Sequence, residues 1–231
     1  MAEFSMVVLG VGDAFSSRYY SSSLLLEAEG TRILIDCPHP IRKMLREAGE
    51  SVGYRLDLDT VEAIALTHLH PDHVSGIEGF AYYKKYALGG QPANVIAHPD
   101  VTEFLWDGHL QASMGYPKRE SGNIRTIDDY FNITHIEVGQ KLQYGPFQIE
   151  CHKTIHPIPT TSFRISALGR SVGYSSDTSF YPELINWLAE ADLIVHETNE
   201  GPHTPFDSLK RLPQELRKRM RLIHYKDDFR L

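Results

Sequence analysis

The sequence predicts an α/β fold of two stacked β-sheets with helices outside, and three observations predict it. Strand-length apolar runs form two blocks, one ahead of residue 100 and one behind residue 134. Apolar residues at helical spacing fall between and after those blocks. Histidines close several of the runs, where a sheet presents its loops along one edge. No internal repeat, low-complexity segment or linker interrupts the chain, so residues 1–231 read as one domain.

The elements follow in order. Residues 6–11 (MVVLGV) are a short apolar strand ended by Gly12 and Asp13. Residues 22–28 and 31–37 flank Glu29 and Gly30, a tight-turn pair, and predict a hairpin. Ile41, Met44, Leu45 and Ala48 recur at helical spacing, and Gly49 stands where a helix stop belongs. Residues 63–67 (AIALT) form a buried strand that runs into His68. Ile77, Phe80, Ala81 and Lys84 predict a helix ended by Gly89 and Gly90, with another strand at 94–97. Residues 101–133 are less regular and read as helix then loop, with a charged stretch. Strands are then expected at 135–138, 147–154, 162–167 and 171–175. Pro182 opens a helix through Leu184, Ile185 and Leu188, followed by a strand at 193–196. A second helix is expected over 209–220, with Pro213 tolerable only near its first turn. Leu222, Ile223 and His224 close the core.

Composition excludes several classes. With 42% hydrophobic and 23% charged residues, the chain has enough apolar surface to offset chain entropy, so disorder is not its main state. No run of eighteen apolar residues predicts a membrane span. The N-terminus lacks the basic start of a secretory signal. The net charge of −7 opposes broad nonspecific nucleic-acid binding. Two cysteines, Cys37 and Cys151, are too few for a disulfide framework and read as small buried hydrophobes. A cytoplasmic location is expected. The basic residues of 210–221 read as a solvated helix face.

The histidines carry the chemistry. His68, His70, Asp72 and His73 put four ligand-type side chains in six residues, directly after an apolar strand. A solvated polar loop does not account for that placement. Strand alternation turns His68 and His70 to one side, and Pro71 turns the chain before Asp72 and His73. Such a segment can serve two metals, and imidazole with carboxylate suits zinc, manganese or iron. Further ligands belong at later strand ends, and His156, Asp177 and His224 stand there.

The ordered set His68, His70, Asp72, His73, His156, Asp177 and His224 resembles the metallo-β-lactamase fold superfamily, and Asp36 matches its first motif. The likeness covers residues 9–224 and implies an αββα sandwich with a metal site at one edge. Within the superfamily the chain looks like ribonuclease Z and related phosphodiesterases. That likeness rests on residues 9–14 (LGVGDA), 21–25 (SSSLL), 162–165 (SFRI) and the His196-Glu197-Thr198 stretch. The chain departs at Pro38-His39-Pro40, at Asn199, and in lacking the long Gly/Pro-rich basic arm with which ribonuclease Z grips transfer RNA.

The resemblance implies two divalent ions, zinc first, with manganese or iron as alternatives. His68, His70 and His156 would hold one, Asp72, His73 and His224 the other, with Asp177 bridging. It implies hydrolysis of a phosphodiester, in a small molecule or RNA. Asp72 would orient the attacking water, His196 would protonate the leaving oxygen, and Asp36 would steady a ligand imidazole. No membrane partner is implied; a homodimer is, as dimers are common in that branch. Two other readings stay open: a lactone or thioester hydrolase of the same fold, and a di-iron oxygen-binding or redox sensor.

Overall fold

The computed structural model describes residues 3–118 and 121–230. The charged stretch of the middle region includes Arg119 and Glu120, which lie outside the described residues. The first sheet holds β1 (Ser5–Gly10), β2 (Ser23–Ala28), β3 (Thr31–Ile35), β4 (Ala63–Ala65), β5 (Ala93–Ala97) and β6 (Phe131–His135), side by side in that order. The second holds β7 (Leu142–Tyr144), β8 (Phe147–Lys153), β9 (Thr161–Ala167), β10 (Arg170–Tyr174), β11 (Leu193–Glu197) and β12 (Met220–Ile223), again in sequence order. Each sheet is mixed. β1 to β3 pair antiparallel and β3 to β6 parallel. β7 to β10 pair antiparallel and β10 to β12 parallel.

Period-two alternation builds the layers. Leu24, Leu26, Ile33 and Ile35 meet Phe147, Ile149, Phe163, Ile165 and Val195 between the sheets. Leu25, Leu34, Ile64 and Val95 point the other way. They pack under α1 (Ile41–Val52) and α3 (Ile77–Tyr82), against Met44, Leu45, Ile77 and Phe80. On the second sheet, Ile194 packs outward against Leu184 and Leu188 of α6 (Pro182–Leu188) and Leu209 of α7 (Phe206–Lys210). Each fully buried Leu or Ile contributes about 1.5–3 kcal/mol.

The hairpin forms as expected, because Glu29 and Gly30 both take left-handed φ, 51° and 79°, which the right-handed strand twist favours. Four expectations change. Gly49 lies inside α1 rather than ending it: a Cβ there would sit 2.7 Å from Tyr54 O. The stop is Gly53, at φ 81°, whose N–H donates to Gly49 O. The strand placed at 135–138 is instead β6, which ends at His135, and β7 is an extra edge strand. The helix expected over 209–220 splits into α7 and α8 (Gln214–Lys218), because Pro213 supplies no N–H to continue a helix and caps α8 instead. The irregular region holds only short turns of helix, including α4 (Pro99–Thr102) and α5 (Gln111–Met114). One more short helix, α2 (Pro71–Val74), matters for the site.

Candidate metal centre

Parallel strands β3, β4, β10, β11 and β12 all end at one edge, where open α/β sheets collect their ligands. Three chain turns there use non-glycine residues in the left-handed region: Asp36 after β3, Ser176 after β10 and His224 after β12, at φ 62°, 53° and 59°. Such turns are sparsely populated and costly, and here they aim side chains at the edge. After β4 the chain passes through His68 and His70 into α2, which Pro71 opens, so Asp72 and His73 fall in its first turn. His156 comes from the loop between β8 and β9.

All seven candidate ligands meet. His68 Nε2 and His156 Nε2 stand 3.2 and 3.0 Å from His70 Nδ1, and 3.7 and 3.8 Å from Asp177 Oδ2. Beside them, Asp72 Oδ2 lies 3.4 Å from His73 Nε2 and 3.0 Å from His224 Nε2. Asp177 joins the groups, its Oδ1 3.3 Å from His73 Nε2 and its Oδ2 3.5 Å from His224 Nε2. Donors about 2.0–2.1 Å from a tetrahedral ion lie roughly 3.4 Å apart. The observed spacings bracket that value. Two buried atoms facing this space, His73 Nε2 and Asp177 Oδ1, make no hydrogen bond. Buried polar atoms left without partners cost free energy, so converging lone pairs and orphaned donors fit a cation.

Electrostatics agree with that fit. Burial pushes His68 well below the usual histidine range, and His73 adds to the effect. Burial lowers His70 and takes His156 down to about 4. These rings are neutral, as metal ligands must be. Burial opposes the charge on Asp177 and Asp72, but His73 and His224 outweigh it and hold both carboxyls below the usual range. His73 moves the other way: burial disfavours its charge, while Asp177 and Asp36 outweigh burial and raise it.

A second layer holds the rings. Asp36, fully buried, accepts from Thr67 N–H at 2.8 Å and pairs with His73 Nδ1 at 2.7 Å. Thr67 Oγ1 donates to Asp36 Oδ2 at 2.8 Å and sits 2.9 Å from His68 Nδ1. Both rings are thereby held at Nδ1, with Nε2 left for the cleft.

His196 behaves otherwise. Val195 faces the inter-sheet core, so alternation turns His196 outward, onto the face Ile194 shows to α6 and α7. It is 1% exposed, its Nδ1 is 2.7 Å from Glu197 O, and burial lowers it to about 4. Glu197 takes the inward face instead. Its Oε1 accepts from Thr178 N–H at 2.8 Å and Thr204 N–H at 3.2 Å, and meets His203 Nδ1 at 3.2 Å. His203 also lies 3.9 Å from Asp177 Oδ2, and forms a third ligand-type group with Asp177 and His224. Burial works against charge on His203, but the Glu197 hydrogen bond and charge outweigh it and raise its pKa. Sequence reasoning misses His203. Its one signal was its place six residues after Glu197, beyond the Gly201-Pro202 turn.

A family model described as Anti-Pycsar protein Apyc1 matches residues 4–230. Proteins of that name from Paenibacillus sp. (strain J14) and Bacillus phage 010DV004 are 31% and 30% identical, each over 96% of this chain and 89% of the relative. The metallo-β-lactamase fold protein YhfI from Bacillus subtilis superposes with a TM-score of 0.75 at 22% identity, over 98% of this chain and 87% of that one. A diphosphatase from the PhnP family gives 0.73 at 18% identity (99% and 89%), and human tRNase Z, short form, 0.68 at 20% (96% and 93%). The fold is thus the metallo-β-lactamase fold, and one edge of it carries His and Asp clusters able to bind metal. By its sequence over nearly its whole length, the chain belongs to the Anti-Pycsar protein Apyc1 family.

Proposed function

We propose that this protein is a binuclear metal-dependent phosphodiesterase acting on small phosphodiesters. One observation carries the reading: two donor groups converge on Asp177, with the His203–Glu197 pair alongside. His68, His70 and His156 would hold one ion and Asp72, His73 and His224 the other, with Asp177 shared; zinc is the first expectation, manganese or iron the alternatives. Two divalent ions held there would polarise a phosphoryl oxygen and make a water acidic enough to attack near neutral pH.

The chain's own groups do the rest. Asp72, held ionised, orients the attacking water and can take its proton. His203 gives a proton to the leaving oxygen. It is 16% exposed at the side chain, so a substrate atom can reach it, and Glu197 fixes its ring through Nδ1. His196, buried at 1% exposure on the other face of β11, is replaced by His203 in this role.

A small substrate is favoured over a polyanion by the net charge of −7 and by the lack of a long Gly/Pro-rich basic arm in the sequence. The human tRNase Z and PhnP-family neighbours carry names of phosphate-bond enzymes, which supports the reaction class. Cys37 and Cys151, buried and unpaired, suit the reducing cytoplasm, and no helix among the described residues is long and apolar enough to cross a membrane.

Turnover of bis-p-nitrophenyl phosphate tests the reading, with protein loaded separately with zinc, manganese and iron and the ions counted per chain. Release of p-nitrophenol that chelator abolishes is expected. Two bound ions without turnover would reject the phosphodiesterase and favour a lactone or thioester substrate. A visible iron spectrum in that case would point to the redox sensor.

A further inference from the structure

Asn199 directly follows the His196-Glu197-Thr198 stretch, where the chain departs from the ribonuclease Z-like pattern. Both ends of its side-chain amide are engaged. Oδ1 accepts from Glu200 N–H at 2.9 Å. Nδ2 donates to Asp13 Oδ2 at 2.9 Å and to His224 O at 3.2 Å. Both partners of Nδ2 are oxygens, so an amide fits this place and a carboxylate of the same shape does not.

Two site residues are tied to Asn199. The first is His224, whose φ of 59° is a conformation that a non-glycine residue keeps only when its surroundings hold it. The next residue is pinned as well: Tyr225 N–H donates to Val11 O at 3.2 Å, and Asp13 N–H donates to Tyr225 O at 3.3 Å. Asp13, 6% exposed, thus clasps the turn both directly and through Asn199. The second site residue is His203. Asn199 N–H donates to Thr204 O at 3.1 Å, and Thr198 Oγ1 donates to the same oxygen at 3.0 Å. These bonds close the loop that carries His203, whose ring stands 5.0 Å from that of His224 between centroids.

We propose that Asn199 is a positioning residue. Its Nδ2 holds the left-handed turn at His224, which keeps that imidazole beside Asp72 and His73 and fixes its spacing from His203. The inference rests on the two-metal centre of the proposed function and not on its substrate. Groups that orient a ligand tune the ion which that ligand holds. Loss of the Asn199 amide therefore weakens the ion that Asp72, His73 and His224 would share, and spares the one assigned to His68, His70 and His156. A residue that only stabilised the fold would not discriminate between the two.

The test follows zinc binding to the full chain by competition with a chelating dye, beside urea unfolding of the same proteins. Asn199→Ala leaves Asp13 Oδ2 and His224 O without this donor and should weaken one of the two zinc steps about tenfold while the other holds. Asn199→Asp keeps an acceptor for Glu200 N–H but turns an oxygen toward both partners, and should weaken the same step further. Exchanging the pair, Asp13→Asn with Asn199→Asp, separates the two bonds. It rebuilds the link between the side chains with donor and acceptor interchanged, and leaves His224 O facing an oxygen. The exchange should therefore recover the urea midpoint lost in Asn199→Asp but not the weakened zinc step. Two intact zinc steps in Asn199→Ala and Asn199→Asp would overturn the proposal. So would equal weakening of both steps, or full recovery of zinc binding in the exchange. Two ions bound without turnover of a phosphodiester would reject the phosphodiesterase alone. A wild-type protein that binds fewer than two ions would overturn the metal centre and the role of Asn199 with it.

Discussion

Strands β4 and β11 both run from an apolar core into a histidine at the same edge of the molecule, yet the two histidines end up in opposite surroundings. His68 turns into the cleft, its Nδ1 held by Thr67 and its Nε2 among other donors. His196 is buried with its Nδ1 on the Glu197 carbonyl oxygen, on the strand face opposite the one from which Glu197 meets His203. The difference is whether the strand still dictates where the side chain points. Because strand side chains alternate, a shift of one position exchanges a site residue for a core residue. β4 ends three residues before His68, so its histidine leaves the strand's alternation and is aimed by the loop. His196 is still within β11 and is bound by it.

The contrast breaks most severely at Asp177, which serves both donor groups. Asp177→Ala should lower kcat/KM by about a thousandfold or more and reduce bound metal below two ions per chain, checked by kinetics and elemental analysis. Asp36→Asn acts at the β4 end alone. It removes the acceptor that orients His73 and should cost about 10- to 100-fold in metal affinity, read by competition with a chelating dye. At the β11 end, His196→Ala should lower stability by about 1–3 kcal/mol in urea unfolding while two ions remain bound.

The smallest effect is expected far from both ends. Asp57 caps a short turn, accepts from Leu58 N–H at 2.8 Å and pairs with Arg42 Nε at 2.9 Å. Burial opposes its charge, but the Arg42 hydrogen bond and the Leu58 N–H outweigh it and depress the pKa. A depressed folded-state pKa adds stability above the unfolded carboxyl value of about 3.9, and that stability is lost as pH falls through the folded value. Asp57→Asn should therefore cost about 1 kcal/mol at pH 6, and the gap in Tm should close in acid. A gap that widens on acidification would contradict the linkage.

The same alternation explains what was legible in the sequence. His68, His70, Asp72 and His73 come from one short stretch, so their spacing alone pointed to a candidate metal site. His156, Asp177 and His224 each follow an apolar run and were legible as strand ends. The two layers of strands were legible too, because apolar runs report burial. His203 was not legible. It lies in a loop after a Gly-Pro turn, and only the path of that loop back to Glu197 gives it a place. The broken helix at Pro213 and the buried Gly49 show the other limit: Gly and Pro mark departures from regularity, but tertiary contacts decide which kind.

In the proposed two-metal phosphodiesterase His203, not His196, is the proton donor. Turnover of a phosphodiester with a poor, alkoxide leaving group by zinc-loaded wild type, His203→Ala and His196→Ala, with ions counted in each, tests it most directly. His203→Ala should keep two ions and lose about 100-fold or more in kcat, while His196→Ala should stay within a few-fold of wild type. Equal activity in His203→Ala and wild type, or a collapse confined to His196→Ala, would contradict it.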